Sequence, residues 1–285
     1  MELLIQLLNG IQYGLLLFLL ASGLTLIFGI LGVLNLAHGS FYMVGAYLAF
    51  WLTERTGSLW VAIPLGLAIV FLLGLLLERG LFSRLYHRDH LHQVLLTFGL
   101  ILIFEELRSV LLGDDVHGVP VPALLSQSIP LTETLSYPIY RLFISGVCLA
   151  IAAGMYAVIQ KTKVGMMIRA GSTNREMVQS LGINIGLLYT LVFAVGVTLA
   201  GLAGMIAAPV SSVFPGMGNQ IIIICFVVAI IGGIGSIKGA LVAALMIGIA
   251  DTVGVVLLPE FSGVAVYLLM AVVLLWRPQG LFKVA

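Results

Sequence analysis

A few short groups of polar residues interrupt an otherwise apolar chain, and each has a definable chemical use. Asn35-Leu36-Ala37-His38-Gly39-Ser40-Phe41-Tyr42 sits deep in one apolar run. Polar groups inside a membrane are costly and turn toward the bundle interior. This segment therefore either caps a helix end and bonds to neighbouring helices, or lines a path for a solute. Asn35, His38, Tyr42 and Thr97 are the candidate path residues. Asp251, between Ile247-Gly248-Ile249-Ala250 and Thr252-Val253-Gly254, must also face inward, for a structural hydrogen bond or for a solute. Glu105 and Arg108 are three apart and can pair on one helix face, with Glu106 beside them near a helix end.

The segment 161–184 carries a different signal. Thr173 and Glu176 have capping-box spacing, so a helix can start there. Gly182 is placed to end it, and Met177, Val178 and Leu181 would share one face. So short a helix is marginal alone. It is held by its flanking spans or by a partner groove, unless the segment is a plain solvated connector. Catalytic sets are missing. There is no G-x-x-x-x-G-K-[ST], so ATP is not bound through a P-loop here, and neither H-E-x-x-H nor C-x-x-C occurs. His87, His90 and His92 beside Arg88 read as a solvated face, and Cys148 and Cys225 as buried small hydrophobes.

The elements that must position these residues follow from charge spacing. Of 285 residues, 61% are hydrophobic and 9% charged, where a soluble domain has about 25% charged. No Asp, Glu, Lys or Arg occurs in 3–53, 56–77, 142–160, 177–237 or 261–276. A helix crosses the hydrocarbon core in about 20 residues. Runs such as Ile221-Ile222-Ile223-Ile224 do not alternate, which excludes a β-barrel. The expectation is one all-α polytopic membrane domain, 1–285, with about nine spans (eight to ten). They fall near 3–30, 35–52, 60–80, 93–112, 139–160, 185–208, 219–235, 239–258 and 262–277. Glycine-rich breaks near 29–39 and 232–239 suggest broken or re-entrant helices, and hint at two structural repeats around a central site. The pairs Gly10/Gly14, Ala200/Gly204, Gly204/Ala208 and Gly235/Gly239 have helix-contact spacing.

Threading nine spans puts Arg79, Arg84, Arg88, Lys161, Lys163, Arg169, Arg175, Lys238, Arg277 and Lys283 on one side. The other side holds Glu54, Asp114, Asp115, Glu133 and Glu260, with Arg55 and Arg141 as exceptions. The basic side is expected to be cytoplasmic, the N-terminus outside and the C-terminus inside. Segment 113–138, with Pro120, Pro122, Pro130 and Pro138, is the largest outer loop: ordered, mostly non-helical, and either a connector or a docking surface. A net charge of +1 argues against nucleic acid as a partner.

Four blocks of sequence bring a family into view. Asn35 to Tyr47 resembles the N-A-H-G-x-x-Y-x-x-G-A-Y signature of branched-chain amino acid ABC importer permeases. Three further blocks are similar to the same family. They are Leu181-Gly182-Ile183-Asn184 with Thr190–Phe193 and Leu199–Gly204, then Gly232–Ala240, and the ending Arg277-Pro278-Gln279-Gly280-Leu281-Phe282. The resemblance implies a transmembrane subunit of a bacterial inner-membrane importer that is not itself an enzyme. It implies a homologous second permease, two ATPases carrying ATP and Mg, and a periplasmic solute-binding protein, with no cofactor on this chain. It makes 161–184 the cytoplasmic coupling loop, with Arg169, Thr173, Arg175, Glu176, Met177, Leu181 and Gly182 facing the ATPase. The usual E-A-A…G pattern is reduced here to Glu176-Met177-Val178 and Gly182. Relatives carry urea, short amides or aromatic acids as well as amino acids. An ion-coupled transporter using Asp251 or Glu105 is the rival of another class.

Overall fold

In lipid every backbone polar group must be bonded within the protein, so long apolar runs become helices. The computed structural model describes residues 2–86, 88–130, 136–257 and 262–282. Its helices are α1 (Glu2–Leu31), α2 (His38–Thr56), α3 (Leu59–Gly80), α4 (His90–Leu112), α5 (Ile139–Lys161), α6 (Lys163–Thr173), α7 (Arg175–Ser180), α8 (Ile185–Ser211), α9 (Met217–Gly232), α10 (Ile237–Leu257) and α11 (Ser262–Trp276). Among the described residues the nine long helices, α1–α5 and α8–α11, match the nine expected spans to about a turn. Five of them, α1, α3, α5, α8 and α10, are long and apolar enough to cross a membrane on length and composition alone, and α9 and α11 are apolar but shorter. His87, Glu133, Glu260 and Lys283 lie outside the described residues, as do the side chains of Arg175 and Glu176.

Helices α1, α2 and α8 form the centre. Phe18, Leu19, Phe41, Met43, Phe193 and Met205 are fully buried, whereas α3, α4, α5 and α11 turn Leu76, Leu102, Leu149 and Leu275 outward. A helix apolar all round belongs inside, and an apolar outer ring suits lipid. The segment 113–138 is ordered but mostly non-helical where described, with a 3₁₀ turn at Ala123–Leu125 and two antiparallel strands, β1 (Ser128–Pro130) and β2 (Ser136–Pro138). Both cysteines are buried and free.

The break after α1 is deep. His38, the first residue of α2, places Nε2 3.0 Å from Leu20 O, well back along α1. The chain from Gly32 to Ala37 therefore runs back along α1, and α2 begins inside the bundle. A second break of the same kind follows α8 at 212–216. Gly32 (φ 68°) and Ser212 (φ 57°) each step out of the preceding helix with left-handed backbone. The starts of α2 and α9 then repeat one pattern of backbone bonds. His38 N donates to Asn35 O and Ser40 N to Ala37 O; Met217 N donates to Phe214 O and Asn219 N to Gly216 O.

Packing obeys the same correspondence. Helix α1 packs on α10 as α8 packs on α3, α2 on α8 as α9 on α1, and α2 on α3 as α9 on α10. Because α1 and α8 run in opposite directions, the two halves form an inverted repeat. The second half's break is thus 212–216, which holds one glycine, and not the glycine-rich 232–239. That richer segment is the turn between α9 and α10, where Gly232 and Gly239 bring the two backbones together and Gly233 and Gly280 meet beneath it. Glycine there serves close approach at a turn, so counting glycines points to the wrong break.

The small-residue pairs do sit at helix contacts. A Cβ on Gly10 would stand 3.0 Å from Gly248 O, and one on Gly14 2.7 Å from Ala244 O. A Cβ on Gly204 would collide with Tyr42 O. Without a hydrophobic drive between helices in lipid, such contacts carry the association. Gly204→Leu should therefore cost about 1–3 kcal/mol by overpacking. Gly146→Leu, where nothing lies within 4 Å, should be near neutral. Melting of the two variants in detergent checks this.

Candidate functional site

Two regions hold the polar residues singled out above. The first is a cavity of about 380 Å³ among α1, α2, α5, α8 and α10, at the end of the bundle bearing 113–138. Tyr42 and Asp251 line it together, with Gln12 and Tyr13 of α1 and Arg141 of α5. Sequence reasoning places Tyr42 and Asp251 on a path and misses the other three. Arg141 stands out in the sequence only as a charge exception on the acidic side, and that anomaly is its signal. Arg141 Nη1 donates to Asn9 Oδ1 at 2.6 Å.

The other three candidate path residues do not join this cavity. Asn35, His38 and Thr97 are fully buried. Thr97 Oγ1 donates back to Gln93 O (3.0 Å) and Val94 O (3.1 Å) of its own helix, so its hydroxyl is satisfied within α4. His38 donates from Nε2 to Leu20 O, and its ring lies over Gly23. Among the described residues, neither Asn35 amide atom has a hydrogen-bond partner. Asn35 and His38 thus lie in the deep turn between α1 and α2, and Thr97 is closed within α4; none of the three lines this cavity.

At the same end, Arg108 ties α4 to its loop. Its Nη1 donates to Asp114 Oδ1 (2.8 Å) and Gly113 O (2.6 Å), and its Nε lies 3.4 Å from Glu105 Oε2, the pairing expected from spacing. The bond from Arg108 holds the Asp114 carboxyl below its usual range. Asn219 Nδ2 donates to Glu105 Oε1, which brings the start of α9 to α4. The loop also reaches the second deep break, because His117 and Val213 exchange two backbone hydrogen bonds of 2.8 Å.

The second region is the opposite end, where Arg79 lines a cavity with Gln179, and Arg169 lines another with Lys238. Here the segment 161–184 forms two helices instead of one. Thr162 caps α6 by accepting from Gly165 N at 3.2 Å, a start that the capping-box pattern does not reveal. Helix α7 begins one residue later than expected. Its cap is Asn174, whose Oδ1 accepts from Met177 N at 3.0 Å. Thr173 instead ends α6 and donates to Arg169 O. Gly182 does close α7, at φ 80°. The expected common face of Met177, Val178 and Leu181 is split: Val178 is buried, while Met177 and Leu181, one turn apart, are 63% and 71% exposed. Six residues make under two turns, and packing on α8 uses only the Val178 side. Arg169 donates to Ile159 O at the end of α5, which braces α6 from within.

Sequence reasoning misses Glu78. It is 1% exposed at the end of α3 and accepts from Tyr86 Oη (2.6 Å) and Thr190 Oγ1 (2.5 Å). It ties α3 to the first turns of α8 and lines a cavity with Gln179 of α7. A lone acid among basic residues at a span end is the available signal.

A bundle of inverted halves with apolar outer helices, a polar cavity at one end and a braced helix pair at the other defines a multi-pass membrane transport subunit. The chain belongs to the family described as the branched-chain amino acid transport system permease component, whose model matches residues 6–275. It is 29% identical to the high-affinity branched-chain amino acid transport system permease protein BraD of Pseudomonas aeruginosa, over 97% of this chain and 94% of that one. Identity to the permease protein LivH of Escherichia coli K12 is also 29%, with the same coverage. Identity to the permease protein LivM of Escherichia coli K12 is 28%, over 92% of this chain and 67% of that one.

Glu78→Ala should remove the acceptor shared by Tyr86 and Thr190 and cost about 1–3 kcal/mol. Glu78→Gln, which keeps an acceptor oxygen, should cost less. Thermal unfolding of the purified variants in detergent reads both.

Proposed function

We propose that this chain is a permease subunit of an ATP-driven importer of branched-chain or other small hydrophobic amino acids in a bacterial inner membrane. A homologous second permease completes the path, two ATPases hold ATP and Mg, and a periplasmic solute-binding protein delivers the solute. The similarity to both LivH and LivM, two permease proteins of one organism, supports pairing with a second, different permease. The basic residues of the α3–α4, α5–α8 and C-terminal segments support a cytoplasmic C-terminus and a periplasmic N-terminus. Segment 113–138 is then periplasmic.

The observation that carries this reading is the tip of α7. Met177 and Leu181 stand exposed on a helix too short to be stable alone, at the basic end of the bundle. Asn174, Val178, Gly182 and the Arg169 bond hold it in place. An apolar pair on a braced helix fits a groove on a cytoplasmic partner. Segment 161–184 is the coupling loop on this reading: Arg175, Glu176, Met177 and Leu181 meet the ATPase, while Arg169, Thr173 and Gly182 set their geometry. ATP-driven movement of that loop shifts the bundle between outward- and inward-open states. The half-helices α2 and α9, which start inside the bundle, lie at the pivot of the inverted repeat.

Single cysteines at Ser172 to Gln179 should cross-link to the ATPase subunit in the assembled transporter. Labelling of these positions only from the periplasmic side would overturn the arrangement.

A further inference from the structure

The cavity shared by α1, α5, α8 and α10 holds two opposite charges that do not pair with each other. Among the described residues Asp251 makes no hydrogen bond or ion pair, although it is half-buried on an intramembrane helix. An unpaired carboxylate in that setting marks a functional site. Arg141 enters from the first turn of α5 and is oriented by Asn9. Tyr13 lies within electrostatic reach of Asp251. Asn9 and Tyr13 are one turn apart on α1, about 6 Å along its axis. The cation and the anion therefore address neighbouring points on one helix face.

Between them the walls are mixed. Gln12, 6% exposed, makes no hydrogen bond among the described residues. Leu16, Ile144, Val210 and Val255 supply an apolar surface. The volume, about 380 Å³, falls in the range of small-molecule sites, about 300–1,000 Å³. An apolar pocket with a few convergent polar groups is the usual form of such a site.

We infer that this cavity is a transient binding site for a zwitterionic α-amino acid with an apolar side chain. The inference rests on the import reading above. Arg141 takes the carboxylate, since a guanidinium matches it in a bidentate fork. Asp251 takes the ammonium. Leu16, Ile144, Val210 and Val255 contact the aliphatic side chain, and Gln12 adds a hydrogen bond to either charged group. Both charges are needed: a ligand carrying only one would leave Asp251 or Arg141, each half-buried, without the opposite charge at its side of the cavity.

The test uses the assembled transporter with both permeases and both ATPases, without the solute-binding protein. Saturation-transfer NMR reads weak binding of L-leucine to it. Leucine should bind, whereas 4-methylpentanoate and 3-methylbutylamine, each with one of its two charges, should not compete. Arg141→Gln and Asp251→Asn should weaken leucine binding at least about tenfold. Arg141→Lys and Asp251→Glu should retain part of it. Absence of a leucine signal from the wild-type complex, or equal signals in wild type and both neutral variants, overturns the site. So does competition by either singly charged compound. If the neutral variants fail to assemble, that competition on the wild-type complex decides alone. A separate arm measures ATP-driven leucine uptake into proteoliposomes with the solute-binding protein present. Failure of wild-type uptake sinks the import reading, whereas uptake without leucine binding in the cavity sinks only the site.

Discussion

Close contact between helix backbones at small residues is the constraint on which the rest of this structure depends. In lipid, helices gain little from burying apolar side chains against one another, so association rests on packing. At the centre of the bundle, Gly23 faces Gly196 and Gly39 faces Gly218. A Cβ on Gly218 would stand 2.7 Å from Gly39 O, and one on Gly196 2.9 Å from Gly23 O. These contacts let α1 cross α8 and α2 cross α9 on the axis that relates the two halves. Bulkier residues there would hold the halves apart and remove the space in which two half-helices can start.

That arrangement creates a second demand. Two stretches of non-helical backbone, 32–37 and 212–216, lie inside the bundle, and such backbone survives only when its polar groups are bonded or buried in protein. The first is closed by the imidazole of His38 on Leu20 O. The second is closed from outside, by the two-way backbone pairing of His117 with Val213, while the His117 ring stacks on Phe50 at 4.1 Å. The long loop 113–138 thus completes the bundle and does more than connect α4 to α5. Any movement of α9 during transport must carry or break this pairing and the Asn219–Glu105 bond.

The same architecture separates the polar cavity from the helix pair α6 and α7. The polar cavity and the braced helix pair sit at opposite ends, joined by the long helices α1, α5, α8 and α10. Helix α8 links them most directly. Its first turns are held by Glu78 through Thr190 and its far end lines the cavity at Val210 and Ser211. A displacement at α7 therefore has a rigid element through which to reach the cavity.

Much of this was legible in sequence. Long apolar runs, most of them free of charge, determined the nine long helices, because each run must bond its own backbone in lipid; α4 keeps Glu105, Glu106 and Arg108, and α10 keeps Lys238 and Asp251. The four motif blocks determined the family. The pairing of Glu105 with Arg108 and the role of Gly182 followed from helix spacing, which is local geometry. What only the tertiary structure decided was which distant residues meet. His38 and Tyr42 are four apart on α2, yet one is sealed against Gly23 and the other opens on a cavity. Arg141 and Asp251 come from helices far apart in sequence, and no local pattern joins them. The break at 212–216 was hidden because its left-handed residue is Ser212 and its depth is set by packing, not by glycine content. Val178 turned inward and Met177 and Leu181 outward because a six-residue helix has one side to spend on α8, and only the fold determines which.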